Sequence, residues 1–340
     1  MPINVVAVYD LAPEFVAQIE AVDSSVRVRT VGAGTREAFG RLPYPSELTN
    51  AADPAEIEAA IRDAEVIFGP WAGPLPGLDV QTAAPHLRWV QSPIVGYERV
   101  NPDLIGDVQF TNIGEMSSAP IAEWVLACIL MFAKGWPAAG VEQRAHRWTR
   151  YMPREVAGST VGIVGLGSIG GEVAKRARAL GCRVIGMRRS FGAGTSHPLV
   201  DVALPPDRLH ELLAASDYVV LTAPLTAQTR GIIDAAALAA MRTDAVLLNV
   251  GRGPLVDEPA LIEALREHRI SGAALDVFSR EPLPADSPLW DLDNIVMTPH
   301  IAAGTDRYYE RATDIFCANL RRYIAGEPLE FLVDPRATQG

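Results

Sequence analysis

Three polar residues in the second half of the chain have side chains suited to moving a proton and holding a carboxylate. Arg252 lies between two glycines after an apolar run, Glu281 precedes a proline, and His300 follows Thr-Pro after another apolar run. An imidazole transfers protons near neutral pH, and a neighbouring carboxylate orients it and favours its charged form. The planar guanidinium group can bind both oxygens of a carboxylate. Each residue alone fits a structural role equally well, but three such groups after successive strands favour a catalytic site.

Short apolar runs alternate with helical patterns along the chain and would position these residues. We expect strands at 5–8, 26–28, 66–68 and 87–90, and helices at 54–61, 119–133 and 306–324. A second strand–helix series extends from about 159 to 299, whereas the Pro- and Gly-rich stretch 35–50 is interpreted as a loop with no assigned role. This alternation indicates an α/β fold with parallel sheets. The carboxyl ends of such strands face a ligand crevice, where the three polar residues would lie.

A glycine motif opens the second series. Gly165, Gly167 and Gly170 form GxGxxG between a predicted strand at 161–164 and a predicted helix at 172–180. The glycines allow a tight turn, close approach of a pyrophosphate to the backbone, and close packing of helix on strand. The helix N-terminus supplies free N–H groups and a positive dipole end for the phosphates. A plain glycine-rich turn is the alternative, but the strand–turn–helix context favours dinucleotide binding.

The residues after the next predicted strand, 183–187, indicate which dinucleotide is bound. An NAD site has an Asp or Glu about twenty residues after the glycines, where it accepts hydrogen bonds from the ribose 2′-hydroxyl. Here that position holds Arg188, Arg189 and Ser190, with no acidic residue. Two guanidiniums and a hydroxyl would bind a 2′-phosphate through charge-assisted hydrogen bonds. We therefore predict NADP(H) rather than NAD(H). The alternative is a solvated loop in which the arginines do not select for a phosphate.

Motifs along almost the whole chain resemble those of the D-isomer-specific 2-hydroxyacid dehydrogenases. The matching segments are Val95–Tyr97, Ala119–Glu123, Gly165–Gly170, Thr222–Leu225, Asn249–Gly253, Leu275–Phe278, Glu281–Pro282 and Thr298–Gly304. Glu98, where the family usually has aspartate, and Ser168, where it often has arginine or lysine, depart from the pattern. The triplet Arg188–Ser190 resembles the Ser-Arg-Ser or Ser-Arg-Thr of NADPH-dependent glyoxylate and hydroxypyruvate reductases, which makes Arg189 and Ser190 the main candidates and Arg188 a helper.

The resemblance implies a role for each polar residue. His300 would exchange a proton with the substrate oxygen, Glu281 would pair with it, and Arg252 would hold the carboxylate and polarise the carbonyl. The backbone of Val95 and Gly96 would bind the other side of the carboxylate. The implied reaction interconverts a small 2-oxo acid, similar to glyoxylate or hydroxypyruvate, and its D-2-hydroxy acid.

The dinucleotide would contact a larger set of residues, within which Asp276 is expected near the nicotinamide carboxamide. The expected contacts are Gly165, Gly167, Ser168, Ile169, Gly170, Arg188, Arg189, Ser190, Ala223, Pro224, Thr229, Val250, Gly251, Arg252, Asp276, His300 and Ala302.

The resemblance also implies two Rossmann-like domains with parallel sheets and a cleft between them. The flavodoxin-like substrate domain would be discontinuous, comprising 1–116 and 304–340, and the dinucleotide-binding domain would comprise 117–303. The two crossing segments would act as hinges that close the cleft and exclude water. The helix after Pro120 is apolar nearly all round, and in the family such a helix packs in a homodimer interface. We expect a homodimer through 119–135, with a purely internal core helix as the alternative.

Composition excludes several other classes of function. The chain has 340 residues and a formal net charge of −11, which disfavours nucleic acid and anionic membranes as partners. The N-terminal stretch is interpreted as a strand rather than a signal peptide, so we expect a cytoplasmic protein. Cys128, Cys182 and Cys317 lack paired spacing and are expected to be buried free thiols, and no metal site is predicted.

Two other functions stay open at this point. The same fold serves as a dinucleotide-sensing regulatory protein, although the chain lacks a basic face or partner-binding tail. A related dehydrogenase could act on another small anion, such as formate or phosphite. The formate enzymes have glutamine where this chain has Glu281.

Overall fold

The computed structural model describes residues 2–8, 11–31, 54–69, 80–93, 107–192 and 194–334. The chain forms two compact units, Met1–Met116 with Thr305–Gly340, and Ser117–Gly304. Gly304, which was expected to open the C-terminal part of the first unit, therefore belongs to the second. Each unit contains a parallel sheet, so the predicted α/β class is confirmed. The predicted loop at 35–50 lies outside the described residues.

The first unit is built on a five-stranded parallel sheet with the order β2-β1-β3-β4-β5, the flavodoxin-like order. Its strands are β1 (Ile3–Ala7), β2 (Val26–Thr30), β3 (Val66–Phe68), β4 (Trp89–Gln91) and β5 (Gln109–Thr111). Its helices are α1 (Pro13–Glu20), α2 (Pro54–Ile61), α3 (Val80–Ala83) and α10 (Tyr308–Ala325). The predicted strand at 5–8 begins earlier, at Ile3, because residue 3 already pairs with Val26.

The C-terminal helix α10 completes the core of the first unit. Its Phe316 is fully buried and stacks on Phe68 of β3 and Trp89 of β4, with ring centroids 4.4 and 5.1 Å apart. The helix ends at Ala325 and is capped by Gly326, whose φ of 69° is a conformation that glycine adopts without steric cost. One face of this sheet thus depends on residues from the far end of the chain.

The second unit is built on a seven-stranded parallel sheet with the order β12-β11-β10-β9-β6-β7-β8. Its strands are β6 (Thr160–Val164), β7 (Arg183–Met187), β8 (Val202–Leu204), β9 (Tyr218–Leu221), β10 (Val246–Asn249), β11 (Gly272–Leu275) and β12 (Ile295–Met297). Its helices are α4 (Ser118–Ala133), α5 (Trp136–Arg144), α6 (Ser168–Ala179), α7 (Leu209–Ala215), α8 (Ala235–Ala240) and α9 (Glu258–Arg266). The strand order reverses between β6 and β9, so the loops after these strands diverge and leave a crevice at the carboxyl edge.

Helix α6 begins at Ser168, four residues before the predicted start at 172. The prediction of the helix start was wrong because the glycine motif was treated as a loop throughout. Gly167 has an extended backbone and acts as the N-cap, so the first turn already contains Ile169 and Gly170.

Helix α4 has two different sides. Val125 and Ile129 are fully buried in the core of the second unit, whereas Leu130 is 40% exposed. Among the described helices none is by itself long and apolar enough to cross a membrane, and α4 and α5 meet that test only as a pair bent by 63°. The helix is therefore a core helix of its own unit that also carries an apolar outer side.

Candidate active site

The three polar residues singled out in the sequence follow three neighbouring strands. Arg252 lies after β10, Glu281 after β11 and His300 after β12, and these strands pair in that order. Because the strands are parallel, their carboxyl ends lie at one edge of the sheet. The loops that carry the three residues therefore meet there.

His300 and Glu281 form a direct pair. The imidazole Nδ1 lies 2.7 Å from Glu281 Oε2, and the backbone N–H of Phe278 donates to Glu281 Oε1 at 3.0 Å. Both side chains are about one-third exposed, at 33% for His300 and 30% for Glu281. The carboxylate thus orients the ring through Nδ1, and the opposite nitrogen, Nε2, is the atom that can exchange a proton with a ligand.

The pKa of Glu281 lies below the usual value of 4.5 for such a carboxyl group. Burial has the largest single effect and would raise the pKa, but hydrogen bonds from His300 and from the Phe278 N–H, with the charges of His300 and Arg252, lower it. Glu281 is therefore a carboxylate across the neutral range and can stabilise a protonated imidazole.

Arg252 is held by its own loop. Its Nη1 donates to the Gly251 carbonyl at 2.8 Å, and its backbone is extended, with φ −143° and ψ 145°. A Cβ at Gly253 would lie 1.9 Å from the Phe278 carbonyl, so only glycine allows the Arg252 loop to approach the loop that carries Glu281. Gly253 thereby allows the two loops to pack against each other.

Asn249 is a site residue whose role sequence reasoning missed. Its buried amide donates to the Arg252 carbonyl at 3.0 Å and accepts from the Gly251 N–H at 3.1 Å. It therefore fixes the backbone on both sides of the turn. Its place inside the Asn-Val-Gly-Arg-Gly motif was the available signal.

Asp276 contacts the turn that carries His300. Its carboxylate accepts hydrogen bonds from Thr298 Oγ1 at 2.5 Å, from the Ile301 N–H at 2.8 Å and from the Ala302 N–H at 2.9 Å. Asp276 is 2% exposed. The N–H of Ala302, a predicted dinucleotide contact, is thus engaged within the protein.

The glycine motif has the geometry of a phosphate-binding loop. Gly165 has a φ of 106°, and a Cβ there would lie 2.5 Å from the Ala223 nitrogen; a Cβ at Gly170 would lie 2.4 Å from the Gly165 carbonyl oxygen. A Cβ at Gly167, by contrast, would meet no heavy atom of the described residues within 4 Å. Packing therefore requires two of the glycines, whereas the third keeps the backbone open toward the N-terminus of α6. This cradle fits a pyrophosphate, with the N–H groups of Ser168 and Ile169 in the first helical turn.

The loop after β9 packs on the glycine motif. Thr222 Oγ1 donates to the Gly165 carbonyl at 2.6 Å, and Thr229 Oγ1 donates to the Pro224 carbonyl at 2.6 Å. The hydroxyl of Thr229 is therefore committed to shaping its own loop. Of three other predicted contacts, Ala223 lies in this loop, and Val250 and Gly251 lie in the loop after the neighbouring strand β10; all three are buried.

Arg188, Arg189 and Ser190 follow β7 directly and are exposed. The carbonyl of Met187 accepts the N–H groups of Gly165 and Leu166 at 3.0 and 2.9 Å, which ties the end of β7 to the glycine motif. Within the described ranges, neither arginine forms an ion pair with a carboxylate. The chemistry of these donors fits a 2′-phosphate beside the glycine loop.

Some predictions concern residues of other kinds. Val95 and Gly96, the predicted carboxylate anchors, lie outside the described residues. Among the residues that the structure does describe, no group of three or more His, Cys, Asp or Glu side chains could hold a metal ion. The three cysteines are buried and unpaired, and burial raises the pKa of the Cys128 thiol to about 12.

Fold and site together define an NAD(P)-binding α/β protein with the site of an oxidoreductase. Residues 126–302 match the family model described as D-isomer specific 2-hydroxyacid dehydrogenase, NAD binding domain. The chain belongs to the D-isomer specific 2-hydroxyacid dehydrogenase family, which confirms the resemblance noted in the sequence.

Relatives and solved structures agree with this assignment. The chain is 33% identical over 302 residues to D-3-phosphoglycerate dehydrogenase of Methanocaldococcus jannaschii, a match that covers 88% of this chain but only 56% of that relative. It is 36% identical over 295 residues to glyoxylate/hydroxypyruvate reductase B of Pectobacterium carotovorum, covering 83% of this chain and 89% of that protein. A D-isomer specific 2-hydroxyacid dehydrogenase from Xanthobacter autotrophicus, solved in complex with NADPH and MES, has a TM-score of 0.76 at 32% identity, and the match covers 99% of this chain and 100% of that one.

Proposed function

We propose that this protein reduces a small 2-oxo acid to the corresponding D-2-hydroxy acid at the expense of NADPH. The observation that carries the proposal is the His300–Glu281 pair at 2.7 Å. It joins the loops after β12 and β11, and β11 is the neighbour of β10, which precedes the Arg252 loop. A proton donor and a carboxylate-binding guanidinium are the two groups that a 2-oxo acid requires from the protein. Both lie on the unit that carries the glycine motif.

Each residue has a defined part in the reaction. Arg252 binds the substrate carboxylate and polarises the neighbouring carbonyl, and the backbone of Val95 and Gly96 is assigned the other side of the carboxylate from the sequence motif. His300 donates a proton from Nε2 to the carbonyl oxygen, which becomes the hydroxyl. Glu281 stabilises the imidazolium before that transfer. A bound dinucleotide supplies the hydride to the 2-carbon.

The dinucleotide is proposed to be NADP(H) in preference to NAD(H). Support comes from the exposed Arg188–Ser190 triplet beside the glycine loop and from the absence of an acidic residue among these three positions. The Xanthobacter relative binds NADPH. A carboxylate at this place would repel a 2′-phosphate, whereas guanidiniums and a hydroxyl bind it.

The two units are assigned different tasks. The second unit, Ser117–Gly304, binds the dinucleotide, and the first, which includes Val95 and Gly96, contributes to substrate binding. The protein is proposed to act in the cytoplasm as a homodimer formed through the 119–135 region.

The first experiment replaces the proton donor. His300→Ala is expected to lower kcat by about 10²–10⁴-fold, the usual contribution of general acid–base catalysis, while the dissociation constant for NADPH stays within a few-fold of the wild-type value. His268→Ala is a matched control, because His268 is also in a left-handed backbone conformation, with φ 51°, but is exposed after α9. Near wild-type turnover in His300→Ala would contradict the proposal.

The second experiment identifies the substrate. Glyoxylate, hydroxypyruvate and larger 2-oxo acids are offered with NADPH, and D-3-phosphoglycerate is offered with NADP⁺ or NAD⁺, because relatives of both kinds match the chain. We expect the small 2-oxo acids to be reduced and chiral analysis of a prochiral substrate to give the D-product. An L-product, or dinucleotide binding without turnover of any compound, would overturn the proposal, and the second result would favour a sensing role.

A further inference from the structure

The buried carboxylate of Asp276 accepts hydrogen bonds from three donors in one short segment. Thr298 Oγ1 and the Ile301 N–H donate to Oδ1 at 2.5 and 2.8 Å, and the Ala302 N–H donates to Oδ2 at 2.9 Å. One donor precedes His300 in the chain and two follow it. A single carboxylate therefore holds both arms of the turn that carries the proposed proton donor.

The turn needs such support because His300 has a strained backbone. Its φ is 55°, in the left-handed region that non-glycine residues rarely adopt. A conformation of this kind persists only where the surrounding structure holds it in place. The backbone adds one local bond, from the His300 N–H to the Thr298 carbonyl at 3.0 Å. The Thr298 N–H also donates to the Leu275 carbonyl at 3.0 Å, and the His300 ring pairs with Glu281. Among these contacts, Asp276 is the side chain that bonds the segments on both sides of His300.

Asp276 is itself fixed to the strand that leads to Arg252. Its N–H donates to the carbonyl of Asn249, the last residue of β10, at 3.1 Å. The Asn249 side chain in turn holds the Arg252 turn. Through Asp276, the two loops that carry the guanidinium and the imidazole share one support at the carboxyl edge of the sheet.

The geometry leaves Asp276 little capacity for a ligand. A carboxylate has about four acceptor positions, and the turn uses three of them. The residue is only 2% exposed. The dinucleotide contact expected from the sequence thus engages, at most, one remaining position, whereas the interaction with the His300 turn engages both oxygens.

We propose that Asp276 is a positioning residue that holds the His300 turn in register with Glu281 and so acts on proton transfer through His300. The proposal rests on the proposed function in that it takes His300 as the proton donor. Thr298 takes part in the same positioning interaction, because its hydroxyl group is the side-chain donor to Asp276. The expected consequence of loosening the turn is a loss of kcat rather than of dinucleotide affinity, since misplacing a reacting group by about 1 Å can cost roughly a hundredfold in rate.

The first measurement does not depend on activity. Amide hydrogen exchange at Ile301 and Ala302 is followed by mass spectrometry or NMR. In Asp276→Asn it is expected to be about tenfold faster or more for at least one of them, because the two amides donate to different oxygens and an amide side chain has only one acceptor oxygen. Exchange in β6 and β9 of the same samples serves as the internal control. Unchanged exchange at Ile301 and Ala302 would overturn the proposal.

The second measurement separates positioning from cofactor contact. Thr298→Val removes only the hydroxyl donor, and Thr298→Ser restores it. We expect kcat to fall about two- to tenfold in Thr298→Val and to recover in Thr298→Ser, with the dissociation constant for NADPH unchanged in both. Asp276→Asn should lower kcat by about tenfold or more. A weaker NADPH affinity with unchanged kcat in Asp276→Asn, or no effect of Thr298→Val, would overturn the proposal.

These outcomes are distinguishable from failure of the proposed function. If His300→Ala keeps full turnover, the assignment of the proton donor fails while the exchange data still report on the turn. If Asp276→Asn does not fold, the Thr298 pair and its exchange rates decide the question.

Discussion

At the residue scale, Glu281 is subject to opposing effects whose balance determines its response to pH. Burial alone would raise the pKa of this carboxyl group, but the hydrogen bonds from His300 and Phe278 and the nearby positive charges bring it below its usual value. A carboxylate with a lowered pKa in the folded state adds stability above its usual, unfolded-state pKa, and this contribution is lost as the pH falls through the lowered pKa.

We therefore predict a pH-dependent difference between the wild type and Glu281→Gln. The free energy of unfolding should be higher in the wild type by a constant amount above about pH 5, and the difference should shrink as the pH is lowered further. Urea unfolding of both proteins between neutral pH and about pH 3.5 measures it. A stability difference that grows toward acid pH would contradict a lowered pKa for Glu281.

Arg189 offers a second test at this scale, directed at the choice of dinucleotide. Arg189→Ala should lower kcat/KM for NADPH by roughly ten- to a hundredfold, as expected for the loss of about 1.5–3 kcal/mol from a charged hydrogen bond, and should leave NADH almost unaffected. Arg183→Ala is the matched control, because Arg183 is exposed at the opposite end of the same strand, β7. An equal loss with both dinucleotides would show that Arg189 does not bind the 2′-phosphate, and a wild-type preference for NADH would refute the cofactor proposal.

At the scale of elements, the turn between β6 and α6 separates glycines required for packing from one that leaves space. Gly170 lies against the Gly165 carbonyl, whereas the described residues leave the space beside Gly167 open. The same motif thus contains positions whose substitution should damage the fold and a position whose substitution should affect binding.

Substitution by alanine should reveal this difference. Gly167→Ala is expected to cost only about 1 kcal/mol of stability, as for an altered N-cap, but to weaken NADPH binding strongly, because the methyl group occupies the approach to the backbone. Gly170→Ala should lower the melting temperature markedly, because its Cβ would lie 2.4 Å from a backbone oxygen. Calorimetric unfolding and NADPH titration of both variants provide the comparison. The reverse ranking of stability losses would contradict the packing argument.

The elements also show which features the sequence could predict. Strand 183–187 and helix 54–61 were predicted with their observed bounds, because local apolar spacing and flanking residues determine them. The predicted order of Arg252, Glu281 and His300 at strand ends was informative because parallel strands bring their carboxyl ends together. The contacts of Asp276 with the His300 turn could not be predicted, since they join residues 22 to 26 positions apart through tertiary packing.

At the scale of the whole molecule, several large apolar side chains that are exposed to solvent lie in one segment of the second unit, between residues 130 and 152. Trp136 is 62% exposed, Trp148 is 92% exposed and Met152 is 93% exposed, and Leu130 on the outer side of α4 is 40% exposed. Clusters of this kind on a folded chain usually mark a surface that another protein covers. The homodimer proposed through 119–135 would cover the beginning of this segment.

We predict that the purified protein has twice the mass of the 36.6 kDa chain in light scattering at micromolar concentration. Leu130→Arg should shift the population to the monomer, because Leu130 lies within 119–135 and a buried unpaired charge at an interface is strongly unfavourable. Trp290→Arg is the control, since Trp290 is 55% exposed in another part of the same unit. A wild-type protein that is monomeric at tens of micromolar would refute the dimer.

The division of the chain has a consequence for the order in which the protein is made. The first unit begins at the N-terminus but is completed only by the segment after residue 304, whereas the second unit is continuous. Phe316, which stacks on Phe68 and Trp89, is synthesised after the whole of the second unit. At about 5–20 residues per second, translation of the roughly 200 residues between the two parts of the first unit leaves this core without Phe316 for about 10–40 s. The first unit can therefore complete its fold only after the second unit has been translated.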